Sequence, residues 1–223
     1  MSNDNEPVLA QSYASQRPLR LGVFGGTFDP PHNGHLHVAR QVKERLDLDA
    51  VAMMVTNISW QKRTERHVTP AALRWDLVQA ACADEAGLEP CRLEIDRGGD
   101  SFSYETMVEL RQRYPNAELF FIVGWDTALK IPTWHQGSEI VAMTELIVVN
   151  RPVGDSDDES SNVRTTQALG EVLGNEFTYM EIPPMPISST MLRDRFQSRE
   201  STELMTPESV RVLVQELGLY QPE

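Results

Sequence analysis

The sequence predicts an α/β fold: a doubly wound parallel sheet with helices on both faces and a small C-terminal helical extension. Two observations carry this. Short apolar runs alternate with amphipathic helical stretches along the chain, the pattern of βαβ units. At 223 residues the chain suits one large domain with a core that needs no covalent staples. Leu19–Phe24 is an apolar run closed by Gly25-Gly26 and reads as the first strand. Leu36, Ala39, Val42 and Leu46 recur at three and four residues, which predicts a helix over 34–46. Ala50–Val55 is the next strand. Thr69-Pro70 reads as an N-cap with proline at the first helical position, opening a helix to about Ala83. Arg92–Ile95 is predicted as a third strand, and 104–113 as a helix capped by Ser103. Leu119–Val123 and Leu146–Val149 are fully apolar strands. Asp155, Asp157, Asp158 and Glu159 stand among serines, so 153–165 is expected to be a solvated acidic loop. A strand near Thr178–Ile182 and a turn at Pro183–Pro186 follow. Helices near Thr190–Gln197 and Pro207–Leu217 come next, the last stopped by Gly218. Residues 1–18 lack periodicity and are expected to be disordered. That leaves 19–223 as the domain, with its C-terminal helical part at about 187–220.

Composition narrows the function. The formal charge is -13, from 33 acidic against 20 basic residues, which excludes broad binding to nucleic-acid phosphates. A small anionic ligand needs only a local cluster of donors and stays open. Cys82 and Cys91 make neither a disulfide framework nor a metal quartet and fit a reducing compartment. No run is long enough to span a bilayer, and Met1–Ser15 lacks the basic and apolar regions of a signal peptide. The expectation is a cytoplasmic protein with no membrane partner.

In an open parallel sheet, ligands bind beyond the carboxyl ends of the strands. Gly25–His35, Thr56–Lys62, Gly124–Asp126 and Asn150–Pro152 are thereby expected on one rim. The strongest string is Gly25-Gly26-Thr27-Phe28-Asp29-Pro30-Pro31-His32-Asn33-Gly34-His35. Its glycines permit close approach of a ligand to the backbone, and the helix behind them offers unpaired N–H groups and partial positive charge. His32 and His35 stand three apart at that helix start and can face one anion. Neither a Walker A loop nor a G-x-G-x-x-G string is present there. The competing reading is a tight turn whose histidines cap the helix or fill core. A second string, Ile187-Ser188-Ser189-Thr190-Met191-Leu192-Arg193, puts hydroxyls and a guanidinium at another helix start. It is an anion cradle or ordinary capping chemistry.

Together the two strings resemble the nucleotidyltransferase superfamily with the H-x-G-H signature, and within it the bacterial nicotinate-nucleotide adenylyltransferases. Further marks are Asp96-Arg97-Gly98-Gly99, Ser101, Thr106, Pro132-Thr133-Trp134, Asn150-Arg151-Pro152 and Gly218-Leu219-Tyr220. The resemblance implies a Rossmann-like fold and transfer of AMP from ATP to nicotinate mononucleotide, giving nicotinate adenine dinucleotide and pyrophosphate, with Mg²⁺ on the polyphosphate. It implies catalytic roles for His32, His35, Lys62 (with Arg63) and Arg193. ATP would lie on Gly25, Gly26, Thr27, Phe28, Gly34, Gly124, Asp126, Arg151, Ile187, Ser188, Ser189 and Thr190. The mononucleotide would meet Asn57, Phe102, Ser103 and Trp134, with Trp134 stacked on the nicotinate ring. The chain has Trp125 where the family has alanine, and Phe102 where it has tyrosine. Trp125 is expected to line the nucleotide pocket. A sibling enzyme for nicotinamide mononucleotide or another phosphorylated acceptor stays open at this point. So do a catalytically silent nucleotide-binding module and a homo-oligomeric state.

Overall fold

Six parallel strands form one sheet in the order β3-β2-β1-β4-β5-β6 in the computed structural model, which describes residues 17–58, 68–149, 169–171, 173–174, 177–183 and 185–222. The strands are β1 (Arg20–Gly26), β2 (Ala50–Val55), β3 (Leu88–Cys91), β4 (Glu118–Gly124), β5 (Glu145–Val149) and β6 (Thr178–Met180). Helices α1 (Asn33–Arg45), α2 (Ala71–Cys82), α3 (Leu93–Arg97), α4 (Ser103–Arg113), α5 (Trp125–Ala128) and α6 (Gly137–Met143) precede β6. Helices α7 (Ser189–Gln197) and α8 (Glu208–Glu216) follow it.

Alternation along the strands divides the core into two layers. Met53, Val55, Phe120, Ile122 and Ile147 face a cluster that takes in Leu36 and Val42 of α1, Leu77 and Val78 of α2, and Val210 and Val214 of α8. Ala52, Met54, Phe121, Val123 and Val148 face the other side, with Met107 and Leu110 of α4 and Ile140 of α6. Strands covered on both faces must be apolar throughout, which is why these runs were readable as strands. The sheet order reverses between β1 and β4, so a crevice opens at their carboxyl ends, where Gly25, Gly26 and Gly124 lie.

The expected third strand is a correction. Arg92–Ile95 lies in or beside α3, and the strand is Leu88–Cys91. Met54 pairs with Cys91, and β2 ends one residue later at Val55, so the ladder has no partners for a strand that runs on to Ile95. Smaller shifts follow from capping. Pro70, rather than Thr69, occupies the N-cap of α2. Phe102 caps α4, and Ser103 is its first residue. Arg17, expected in the disordered extension, is anchored by hydrogen bonds of 2.8 and 3.2 Å to the two carboxylate oxygens of Asp49. The remainder of that extension, 1–16, and the acidic loop 153–165 lie outside the described residues. No helix among the described residues is long and apolar enough to cross a membrane.

Candidate active site

The turn from β1 into α1 is built around side chains packed against glycines. Phe28 adopts a left-handed backbone (φ 48°) and is only 2 % exposed. A Cβ on Gly26 would come within 2.8 Å of its ring, so glycine is required there. A Cβ on Gly34 would stand 3.0 Å from His32 Nδ1. The two histidines of the string thereby stack, with ring centroids 3.6 Å apart and an interplanar angle of 23°. His35 also receives the edge of Phe28 at 5.0 Å. The His32 backbone N–H donates to His35 Nδ1 at 3.2 Å, which leaves Nε2 as the proton-bearing nitrogen of His35. His32 is 5 % exposed, its Nδ1 is buried without a hydrogen bond, and burial lowers its pKa to about 4. At neutral pH it is an uncharged imidazole that offers a hydrogen bond rather than a positive charge.

The second string closes on the first from behind. Ser188 caps α7 by accepting the Met191 N–H at 3.2 Å. Ser189 Oγ donates to Pro30 O at 2.8 Å, and Thr206 Oγ1 to Pro31 O at 3.1 Å. Arg193 donates to Asp29 O at 2.7 Å and to Thr190 Oγ1 at 3.0 Å. The Asp29 side chain accepts from Tyr220 Oη at 2.7 Å. Ile187 O lies 3.8 Å from where a Gly34 Cβ would sit, so the two strings adjoin.

A cavity of about 250 Å³ opens where the sheet order reverses. Gly25, Gly26, Thr27, Gly124, Phe102, Ser103 and Trp134 line it, all predicted site residues. Its wall is braced by two residues that the sequence reading missed. Arg74 of α2 is 1 % exposed and donates to the carbonyls of Thr69, Thr27, Thr56 and Asn57 at 2.7–3.0 Å. One guanidinium thus ties the loops after β1 and β2 together, a task that uses its planar fork. Glu94 of α3 also lines the cavity, at 4 % exposure. Arg97 donates to Thr106 Oγ1 at 2.9 Å, and Thr106 donates to Glu94 Oε1 at 2.7 Å. Burial raises the Glu94 pKa, against the opposing pull of Ser101, Thr106, Arg97 and Arg74. The signals were present as an arginine and a glutamate inside apolar stretches, but such residues are ordinarily solvated.

The other predicted residues fall as follows. Asn57 spends its groups on the wall: its N–H donates to Ser101 Oγ at 2.9 Å and its side chain to Gly99 O at 2.8 Å. Asp126 is exposed on the first turn of α5. Trp125 is not among the residues lining this cavity, although Gly124 and Thr127 on either side of its turn are. It is half-buried against the second core layer and meets Tyr179 edge-on at 6.1 Å, because β6 brings that ring alongside. Lys62, Arg63 and Arg151 lie outside the described residues.

Comparison with known proteins gives the family and the fold. The family model described as cytidylyltransferase-like matches residues 23–195. A protein of Corynebacterium kroppenstedtii named probable nicotinate-nucleotide adenylyltransferase is 37% identical over 203 residues, covering 91% of this chain and 92% of its own. The nicotinate-nucleotide adenylyltransferase of Bacillus subtilis is 34% identical over 202 residues, covering 91% and 98%. Among solved structures, a Plasmodium falciparum nicotinic acid mononucleotide adenylyltransferase complexed with NaAD superposes with a TM-score of 0.70 at 16% identity, over 91% of this chain and 97% of that one. The fold is thus shared across a wide sequence distance, and the sequence relationship is close enough to decide membership: the chain belongs to the nicotinate-nucleotide adenylyltransferases of the cytidylyltransferase-like family.

Proposed function

We propose that the chain transfers the adenylyl group of ATP to nicotinate mononucleotide, releasing pyrophosphate. The observation that carries this is a glycine-lined cavity at the strand-order reversal and a stacked imidazole pair at a helix start, with Phe24 lining the one and packing on His35 of the other at 6.3 Å. A phosphate oxygen of the mononucleotide attacks the α-phosphorus of ATP, and the bond from that phosphorus to the oxygen bridging it to the β-phosphorus breaks, so that this oxygen leaves on pyrophosphate. The nucleophile is already an anion, so no general base is needed. The task is alignment and stabilisation of charge on the transferring and leaving groups.

In this reading His35 donates from Nε2, and the uncharged His32 beside it holds that ring in place. The amide groups at the start of α1 add partial positive charge. Arg193 and the α7 start serve the polyphosphate, with Lys62 and Arg151 completing the ATP side. Trp134 and Phe102 take the nicotinate ring between them. Imidazole, hydroxyl and amide donors match phosphate oxygens rather than a metal ion, so the residues fit a Mg²⁺ held by the nucleotide. Bound there, Mg²⁺ would offset polyphosphate charge. The test is pyrophosphate release from ATP and Mg²⁺ with a panel of mononucleotides. Nicotinate mononucleotide is expected to be the best acceptor. Equal or reversed preference for the nicotinamide form would overturn the nicotinate assignment, and no release with any acceptor would overturn the transfer.

A further inference from the structure

A transfer between two bound anions needs the loops that hold them to keep a fixed relation, and the sheet stops short of both. The β1–β2 ladder gives out where the Thr56 N–H donates to Gly26 O at 3.0 Å. Beyond that point the two chains part. Thr27 leads through Phe28 into the turn that carries His32 and His35, and the Phe28 ring meets His35 edge-on at 5.0 Å. Asn57 leads instead to the cavity wall. Its N–H donates to Ser101 Oγ at 2.9 Å, and the Ser101 N–H donates to Ile58 O at 2.9 Å. Ser101, Phe102 and Ser103 line the cavity.

Arg74 spans the parted chains. Its Nη1 donates to Thr27 O at 2.7 Å, and its Nη2 to Thr56 O at 2.8 Å and Asn57 O at 3.0 Å. Its Nε donates to Thr69 O at 2.7 Å, so both ends of the segment between β2 and α2 are held by the same group. A rigid fork meets these carbonyls together, which the single point of an ammonium cannot copy. The side chain is 1 % exposed, a costly place for a cation. These bonds go to main-chain oxygens, so they fix the course of the backbone on either side of the site. Arg74 is not among the residues lining the cavity, and it acts through the loops rather than on a ligand.

We propose that Arg74 is a positioning residue for the transfer, setting the distance between the histidine turn and the acceptor wall of the cavity. This rests on the adenylyl-transfer reading above, with ATP on the turn side and the mononucleotide on the wall side. Each loop then binds its own substrate, and the guanidinium fixes only the relation between them. In-line attack needs the phosphate oxygen close to the α-phosphorus, and a misplacement of about 1 Å costs about 10²-fold in rate. Loss of the fork therefore slows the transfer and leaves the affinity for each substrate in place.

The test compares wild type, Arg74→Lys and Ser101→Ala, with the mononucleotide that the wild type uses best as acceptor. Single-turnover rates at saturating substrates report the transfer. Calorimetry gives the Kd of ATP with Mg²⁺ and of the mononucleotide, each alone, and its stoichiometry counts the folded sites. Arg74→Lys is expected to lower the single-turnover rate by about 10–100-fold, with both Kd values and the stoichiometry close to wild type. Ser101→Ala cuts the same connection at the wall while keeping the buried cation, and it decides the matter where Arg74→Lys does not fold: a slower transfer at unchanged Kd values is expected. A rate that falls only in step with the stoichiometry would leave Arg74 a folding role alone. A matching loss in either Kd would make it a builder of one subsite, and an unchanged rate would remove it from the transfer; each overturns the proposal. A wild type that transfers to no mononucleotide defeats the reading on which this rests. An active wild type with equally fast variants defeats only the Arg74 assignment.

Discussion

His32 shows how burial sets the chemistry of a residue that the sequence offers as a cation. Its neighbours exclude water, so its pKa falls to about 4. Between that value and the unfolded pKa of about 6.5, the unfolded chain binds a proton that the folded chain refuses. Stability therefore falls as pH falls through this window, by roughly 3 kcal/mol in total, and is fully present above it. Urea unfolding from pH 4 to 7 is expected to show this slope in wild type and to lose it in His32→Asn; parallel curves would count against the buried neutral imidazole. Trp125 is governed by packing in a different way. Since it is half-buried against Tyr179 and outside the cavity lining, Trp125→Ala should cost roughly 2 kcal/mol, about half the loss of a core tryptophan. The KM for ATP should stay within about twofold of wild type. A large rise in that KM with an unchanged melting temperature would return the side chain to the nucleotide.

The C-terminal element acts as a brace on the β1–α1 turn. Ser189, Arg193, Thr206 and Tyr220 each donate to a residue between Asp29 and Pro31, across 159–191 residues of sequence separation. Tyr220 is the most separable of these contacts. Burial and Asp29 raise its pKa, so its hydroxyl stays a donor at neutral pH, while its ring stacks on Phe196 at 5.9 Å. Tyr220→Phe keeps the stacking and removes the donor to a buried carboxylate, which should cost about 1–3 kcal/mol. Turnover should fall severalfold, because the turn that carries His32 and His35 is loosened while the cavity beyond it is untouched. Chemical denaturation and steady-state rates on this variant check both halves. Unchanged turnover at reduced stability would make the contact purely structural.

At the scale of the whole molecule, the charge of -13 opposes the approach of two anionic substrates. Long-range repulsion is screened by salt, so kcat/KM for ATP is expected to rise between about 20 and 200 mM NaCl as the Debye length shortens from roughly 20 Å to below 10 Å. A fall over that range would mean that local positive charge at the site outweighs the net charge in the field that the substrate meets.

The sequence by itself determined the layer architecture, because strands covered on both faces must be apolar throughout and helices between them must repeat every three to four residues. It also determined the glycine-rich turn and the capped start of α7, since these rest on local chemistry: open space at Gly25 and Gly124, a packed ring at Gly26, and the Ser188 cap on Met191. Tertiary structure decided the rest, because the deciding partner was distant in the chain. β2 runs only to Val55, so the ladder stopped with β3 at Cys91, and Leu93–Arg97 formed a helix beyond it. Tyr179, 54 residues on, supplied the ring that Trp125 packs against. Arg74 became a buried clamp because four carbonyls from two loops converge on it. His135 reached the cavity wall because the loop after α5 packs its ring against Phe102 and Tyr104, a placement that no local pattern encodes.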